Sequence, residues 1–188
     1  MILFLYLGSF LSVSGLLLNN LGDECVTRNE FMTVIASLNS SIIKEKQRSN
    51  VAFVAELSHR ITDPPNGFHI IFDKIKLDIG GNYKATHGIF LAPYPGIYHF
   101  AVEITSPPQS SQHTLHVRIM KKNQPVALTF SDGNTEQWLR RTGSIILQLD
   151  TGDDVWCRTE SVSGTNTIAG ADIGDTYSIF SGFIVHPL

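Results

Sequence analysis

Charge is scarce in this chain, and neither sign dominates. Lys and Arg number 14 against 17 Asp and Glu in 188 residues, a formal net charge of −3. No basic stripe is available to neutralise a phosphate backbone, which argues against nucleic acid as a partner. Cysteine is scarcer still. Cys25 and Cys157 are the only two, too few for the disulfide framework of small secreted domains. Catalytic signatures are missing too: there is no G-x-S-x-G elbow, P-loop or H-E-x-x-H, so no enzymatic activity and no catalytic residue is expected. No internal repeat, charge block or low-complexity linker interrupts the chain.

The long apolar run is confined to the N-terminus. "MILFLYLGSFLSVSGLLL" stops at Asn19. It has the length of a secretory h-region, with Ser12 and Ser14 framing a small-x-small cleavage site. Residues 1–14 are read as a signal peptide, which makes the mature protein secreted, with no membrane span after cleavage. A membrane anchor is the rival reading, because the run lacks a positive charge near Met1. A span needs about 20 apolar residues, and Ser9, Ser12 and Ser14 weigh against one.

Residues 15–49 form a leader with helix signals over 23–48. Phe31, Ile35, Leu38 and Ile42 fall on alternating heptad positions, which predicts a short coiled-coil-like segment of about two heptads. Cys25, in an oxidising compartment, is either unpaired or an interchain disulfide. Asn39-Ser40-Ser41 is a glycosylation sequon on the same helix, where a glycan would crowd a coiled coil. Cys157, in the strand-like "DVWCRT", is read as a buried thiol packing as a small hydrophobe.

From Asn50 onward the pattern changes to short strands and turns, which predicts an all-β sandwich over residues 50–188. Fifteen Gly accompany eleven Phe and five Tyr. In "GIFLAPYPGIYHF" (residues 88–100), Pro93 and Pro95 exclude a helix. The stretch reads as strand, corner and strand, with Tyr98, Phe100, Val102 and Ile104 on one face and Gly96 at positive φ. "HTLHVRIMKKNQPVALTF" reads as a hairpin turning at Lys122 to Gln124. "GSIILQLDTGDDVWCRT" reads as another hairpin, and the neighbouring Asp153 and Asp154 as turn residues and not paired catalytic acids. His113 and His116, three apart on a strand, should face opposite sides and share no metal.

These segments resemble the complement C1q globular-domain family. The resemblance rests on "AFVA" (Ala52 to Ala55), "IFDKI" (Ile71 to Ile75), the series Tyr83, Gly88, Phe90, Ala92, Pro93, Gly96, Tyr98 and Phe100, and "KKN" (Lys121 to Asn123). "GSIILQLDTGDDVW" and "YSIFSGF" complete it, so that it covers residues 51–188. Asp78 departs from the family's usual Asn, and there is no Gly-x-y collagen tract. The resemblance implies a ten-stranded jelly roll of C1q/tumour-necrosis-factor type that forms homotrimers. It further implies a secreted, head-only member of the kind found in invertebrate innate immunity. Such a protein would bind carbohydrate or microbial surface ligands multivalently. The alternative is a cerebellin- or adipokine-like ligand for a protein receptor.

Two loops combine aromatic and charged residues in the way ligand sites do. One carries His59 and Arg60; the other carries Trp138, Arg140 and Arg141. Trp138 is read either as a stacking surface for a sugar or as a subunit contact. No resident cofactor is expected. Some relatives bind calcium with carboxylates in the second loop, but here it offers only Asp132 and Glu136, and Leu139 stands where those relatives have an acid.

Overall fold

A computed structural model describes residues 27–48, 50–175 and 177–188, without the side chains of 45–48, 134 and 135. The signal-peptide reading and Cys25 lie outside the described residues.

Among the described residues the leader contains one helix, α1 (Arg28–Arg48). A reciprocal capping box starts it. The Thr27 N–H donates to Glu30 Oε2 at 2.7 Å, and the Glu30 N–H donates back to Thr27 Oγ1 at 3.3 Å. The expected coiled-coil segment does not hold, because the fold is a β-sandwich and not a coiled coil. The helix itself shows why the heptad reading misled. Phe31, Leu38 and Ile42 are exposed, but Met32, Val34 and Ile43 are exposed beside them. Phe31, Ile35, Leu38 and Ile42 share one stripe, but it lasts only about two heptads, and Met32 and Ile43 carry the apolar surface about 100° further round the helix. Asn39 is exposed on it.

The remaining described residues form β1 (Ala52–Glu56), β2 (Ile61–Thr62), β3 (His69–Ile70), β4 (Lys74–Ile79), β5 (Tyr83–Lys84), β6 (Ile89–Leu91) and β7 (Gly96–Ser106). They continue with β8 (Gln109–Lys121), β9 (Gln124–Phe130), β10 (Gly133–Thr135), β11 (Leu139–Leu149), β12 (Asp154–Ser163), β13 (Thr167–Ile168) and β14 (Ile179–Pro187). A five-stranded sheet runs β11-β7-β14-β1-β4. A seven-stranded sheet runs β10-β8-β12-β6-β5, with β9 also on β8 and β3 also on β12. This is the expected all-β jelly-roll sandwich of C1q/tumour-necrosis-factor type.

The core is aromatic and follows from strand alternation. Tyr98, Phe100, Val102 and Ile104 of β7 are all at most 2% exposed, as the sequence predicts. Phe53 stacks on Tyr83 at 4.7 Å and on Phe90 at 5.3 Å, and meets Phe180 edge-on at 5.1 Å. Gly182 lies between Phe53 and Phe100 in register. A Cβ there would sit 2.6 Å from the Phe100 ring, so glycine is required by space. Cys157 is a fully buried thiol, and burial pushes its pKa well up.

The strand–corner–strand reading holds, while the φ of Gly96 and the second hairpin differ from the sequence reading. The proline corner joins β6 in one sheet to β7 in the other, so it is a crossing between layers. Gly96 is not at positive φ. Its Cβ would instead meet the His186 carbonyl oxygen at 2.9 Å. Likewise, β11 and β12 belong to different sheets and form no hairpin. The hairpin of β8 and β9 does form, with Lys122 in its turn at φ 53°.

Asp153 holds the β11–β12 crossing. Its carboxylate is 4% exposed, lies 2.7 Å from Lys122 Nζ and 3.1 Å from Lys121 Nζ, and accepts the Asp150 N–H at 3.1 Å. Burial alone would raise its pKa, but the lysines and the amide outweigh this and bring it down to about 2. The folded pKa thus lies below the unfolded value of 3.8. The stability it contributes is complete above that value and is lost as pH falls toward 2. Asp153→Asn is expected to lower stability at neutral pH by roughly 2 kcal/mol. Denaturant unfolding curves of variant and wild type should converge as pH approaches about 2. Equal stability at neutral pH would contradict this role.

Candidate functional site

Register places the two predicted loops at one end of the five-stranded sheet. The end of β1, the starts of β11 and β14, and the end of β7 meet there, because Glu56 pairs Ile179, Ile179 pairs Glu103, and Leu139 pairs Ser106. The loop after β1 is three strand positions from β11, or about 14 Å across at ordinary strand spacing. His59 and Arg60 therefore do not join the Trp138 group in one site.

His59 and Arg60 line an open groove of about 340 Å³ with Leu57, Phe68, His69 and Asp73. Arg60 is tied down: its backbone N–H and its Nε donate to the two Asp172 carboxylate oxygens at 2.7 and 2.8 Å. The arginine holds the Asp172 carboxyl below the usual range. Gly170 makes this fit, since a Cβ there would lie 2.2 Å from the His59 carbonyl carbon.

A serine, a histidine and an acid also meet in this groove. Ser58 Oγ hydrogen-bonds His59 Nδ1 at 2.8 Å and donates to Asp73. This is not nucleophile chemistry. The hydroxyl proton points at the carboxylate, so the ring cannot act as base toward Ser58, and the acid does not orient the ring. The Asp73 carboxyl is also fixed by the Ser58 N–H at 2.9 Å. Burial works to raise its pKa, but the Ser58 hydrogen bonds leave it below the usual range.

In the second loop, Arg140 and Arg141 are adjacent on β11 and point to opposite faces. Arg140 Nε donates to Glu103 Oε2 at 2.6 Å. Arg141 is exposed on the other side of the strand. Trp138, just before β11, is 43% exposed. The triplet the sequence brought together is thus divided by the pleat, with Trp138 and Arg140 two positions apart.

Asp132 serves the scaffold. It accepts the Leu115 N–H at 3.0 Å and the His116 ring at 2.9 Å, while Glu136 is exposed. Among the described residues, no group of three His, Cys, Asp or Glu is placed to hold a metal. His113 is buried and His116 partly exposed, on opposite faces of β8.

The outer face of the five-stranded sheet is a surface that sequence reasoning missed. Ile146, His99, Phe183, Ala52 and Ile79 lie in register across all five strands. The next row runs Ser144, Ala101, Ser181, Val54 and Leu77. Ile146, Phe183, Leu77 and Ile79 are 60, 48, 44 and 45% exposed. His99 packs on the Phe183 ring at 5.2 Å. A sequence signal exists: "SIIL" and "GFIV" are continuous apolar runs, and strands covered on both faces have such runs where half-buried strands alternate.

The sequence profile of the C1q domain matches residues 52–185. The chain belongs to the C1q domain family. Complement C1q tumor necrosis factor-related protein 2 of Mus musculus is 36% identical over 123 residues, covering 65% of this chain and 40% of that protein. The human protein of the same name gives 36% identity over the same length. The chain thus aligns with about two fifths of the length of these curated relatives. Its fold is similar to the globular domain of zebrafish complement 1qA protein, with a TM-score of 0.56 and 17% identity over 73% of this chain and 99% of that one. It is also similar to murine APRIL at a TM-score of 0.54 and 9% identity, covering 72% of this chain and 99% of APRIL. The C1q domain over residues 52–185 is a non-catalytic recognition or signalling module, from a family that is typically secreted. No helix among the described residues is long and apolar enough to cross a membrane.

Because Trp138 stands exposed at a loop, Trp138→Ala is expected to change stability by less than about 0.5 kcal/mol. Thermal unfolding checks this, and a loss of several kcal/mol would show that the ring is a packing residue.

Proposed function

We propose that this protein is an extracellular ligand that assembles as a homotrimer and engages a protein receptor. The observation that carries this is the apolar outer face of the five-stranded sheet. A contiguous exposed surface of Ile146, Phe183, Leu77 and Ile79 marks an interaction face on a soluble domain. Its interleaved small residues, Ala101, Ser144 and Ser181, allow close approach. Kinship with a protein named tumor necrosis factor-related supports a signalling role for the assembled form. Repetition around an axis would give three equivalent receptor contacts and the avidity that follows.

The second reading, a lectin-like recognition protein for carbohydrate or microbial surfaces, rests on Trp138, whose exposed indole could stack on a sugar face. Arg140 is committed to Glu103 and supports that reading less than an unpaired arginine would.

Phe183→Glu tests the assembly. Three buried carboxylates in an apolar interface are costly, so sedimentation at micromolar concentration should show a trimer for the wild-type full chain and a monomer for the variant. A wild-type monomer overturns the assembly. Binding of the trimer to cells should survive removal of surface glycans and be abolished by trypsin. The reverse pattern, together with loss of binding in Trp138→Ala, would favour the lectin.

A further inference from the structure

The outer face of the seven-stranded sheet carries an arrangement that the fold does not need. Arg118 on β8 lies directly opposite Arg158 on β12. Like charges facing each other across strands are unfavourable, with Cα atoms only about 5 Å apart. Glu160 relieves this in part. Arg118 Nε contacts its Oε2 at 2.5 Å, and Arg158 Nη2 approaches Oε1 at 3.5 Å. One carboxylate therefore serves two guanidinium groups, which carry about five N–H donors each. Arg158 Nε is buried without a hydrogen-bond partner. Arg118, Arg158 and Glu160 are each about one-third exposed, so the pair is reachable from solvent. The other nearby acid, Asp132, is engaged by the Leu115 amide and His116.

The flanks are largely aromatic. Leu128 on β9 and His69 on β3 extend the row on either side of the arginines. Next to them, Trp156 stacks on His69 at 4.6 Å, and Phe130 is 54% exposed beside His116. Such surroundings exclude water from an ion pair and strengthen it, and Arg and Trp are the residues enriched in protein-interface hot spots. Local conflicts of this kind concentrate at functional sites.

We propose that Arg118 and Arg158 form an anion site that receives an acidic side chain of a protein partner, with Leu128 and Trp156 as its apolar rim. A carboxylate there would supply the second counter-charge that Glu160 alone does not provide. Only the choice of a protein partner rests on the proposed receptor-ligand function. The site belongs to a single chain and does not depend on trimer formation.

The test is a titration of the ¹⁵N-labelled full chain, read at the arginine Nε–H resonances. The probes are acetyl-Leu-Glu-Leu-amide, its Gln counterpart and a sulfated heparin disaccharide. The Glu peptide should shift Arg118 and Arg158 saturably, leave Arg140 unmoved, and bind at least tenfold more tightly than the Gln peptide. Arg158→Gln should weaken it at least tenfold. Arg158→Lys, which keeps the charge and loses the fork, should fall between them. Unchanged thermal midpoints would show that both variants are folded. Absence of a saturable shift with any probe overturns the site. Tighter binding of the disaccharide than of the peptide overturns the protein partner in favour of an acidic glycan. Trimer failure in sedimentation leaves these outcomes unaffected, so the two proposals fail separately.

Discussion

The aromatic layer between the two sheets is the constraint on which the rest depends. Phe53 on β1 contacts Tyr83, Phe90, Phe100 and Phe180, which come from both sheets. The rings fill the gap so fully that the strand between Phe53 and Phe100 must carry Gly182. With that register fixed, period-two alternation decides every outward position. A slip of one residue on β7 would bring His99 into the core and turn Phe100 outward.

Each outer face is then a consequence of the core. On the five-stranded sheet, the positions left over by Phe53, Phe100 and Phe180 are themselves mostly apolar or small, and solvent is a poor neighbour for them. On the seven-stranded sheet, the positions left over by Val117 and Cys157 are arginine, histidine, tryptophan and glutamate. One sandwich therefore has two chemically distinct surfaces. The first is the face proposed to meet further copies of the chain, and the second is the face proposed to meet an acidic partner. Buried ion pairs are also specific, one at a crossing between the sheets and one within the five-stranded sheet. Asp153 is buried with Lys121 and Lys122 at one crossing, and Glu56, 1% exposed, sits 2.5 Å from Lys74 Nζ and 3.5 Å from Lys76 Nζ at the sheet edge. Burial favours a raised pKa for Glu56, yet these lysines hold it below the usual range.

Features encoded within one strand were legible in the sequence. The inward set Tyr98, Phe100, Val102 and Ile104 and the burial of Cys157 follow from alternation alone, and the family follows from the spacing of Gly88, Phe90, Pro93, Gly96 and Tyr98. Features that depend on which strands become neighbours were not legible. "LDTGDDVW" has every residue of a hairpin turn, yet the chain there changes sheets, because local turn chemistry does not specify the partner of the following strand. Arg118 and Arg158 are 40 positions apart in number and become opposite only through the β8–β12 register. Sequence proximity alone makes Trp138, Arg140 and Arg141 a cluster, whereas the pleat sends the two arginines apart.

The proposed self-assembly would bury the apolar outer face of the five-stranded sheet, which the folded single chain leaves exposed. Association that favours the folded state makes stability depend on protein concentration. Calorimetric unfolding of the full chain over about a hundredfold range of concentration measures this directly. The account predicts a thermal midpoint that rises steadily with concentration. A midpoint that stays constant across the range would show that the folded chain stands alone, and would contradict it.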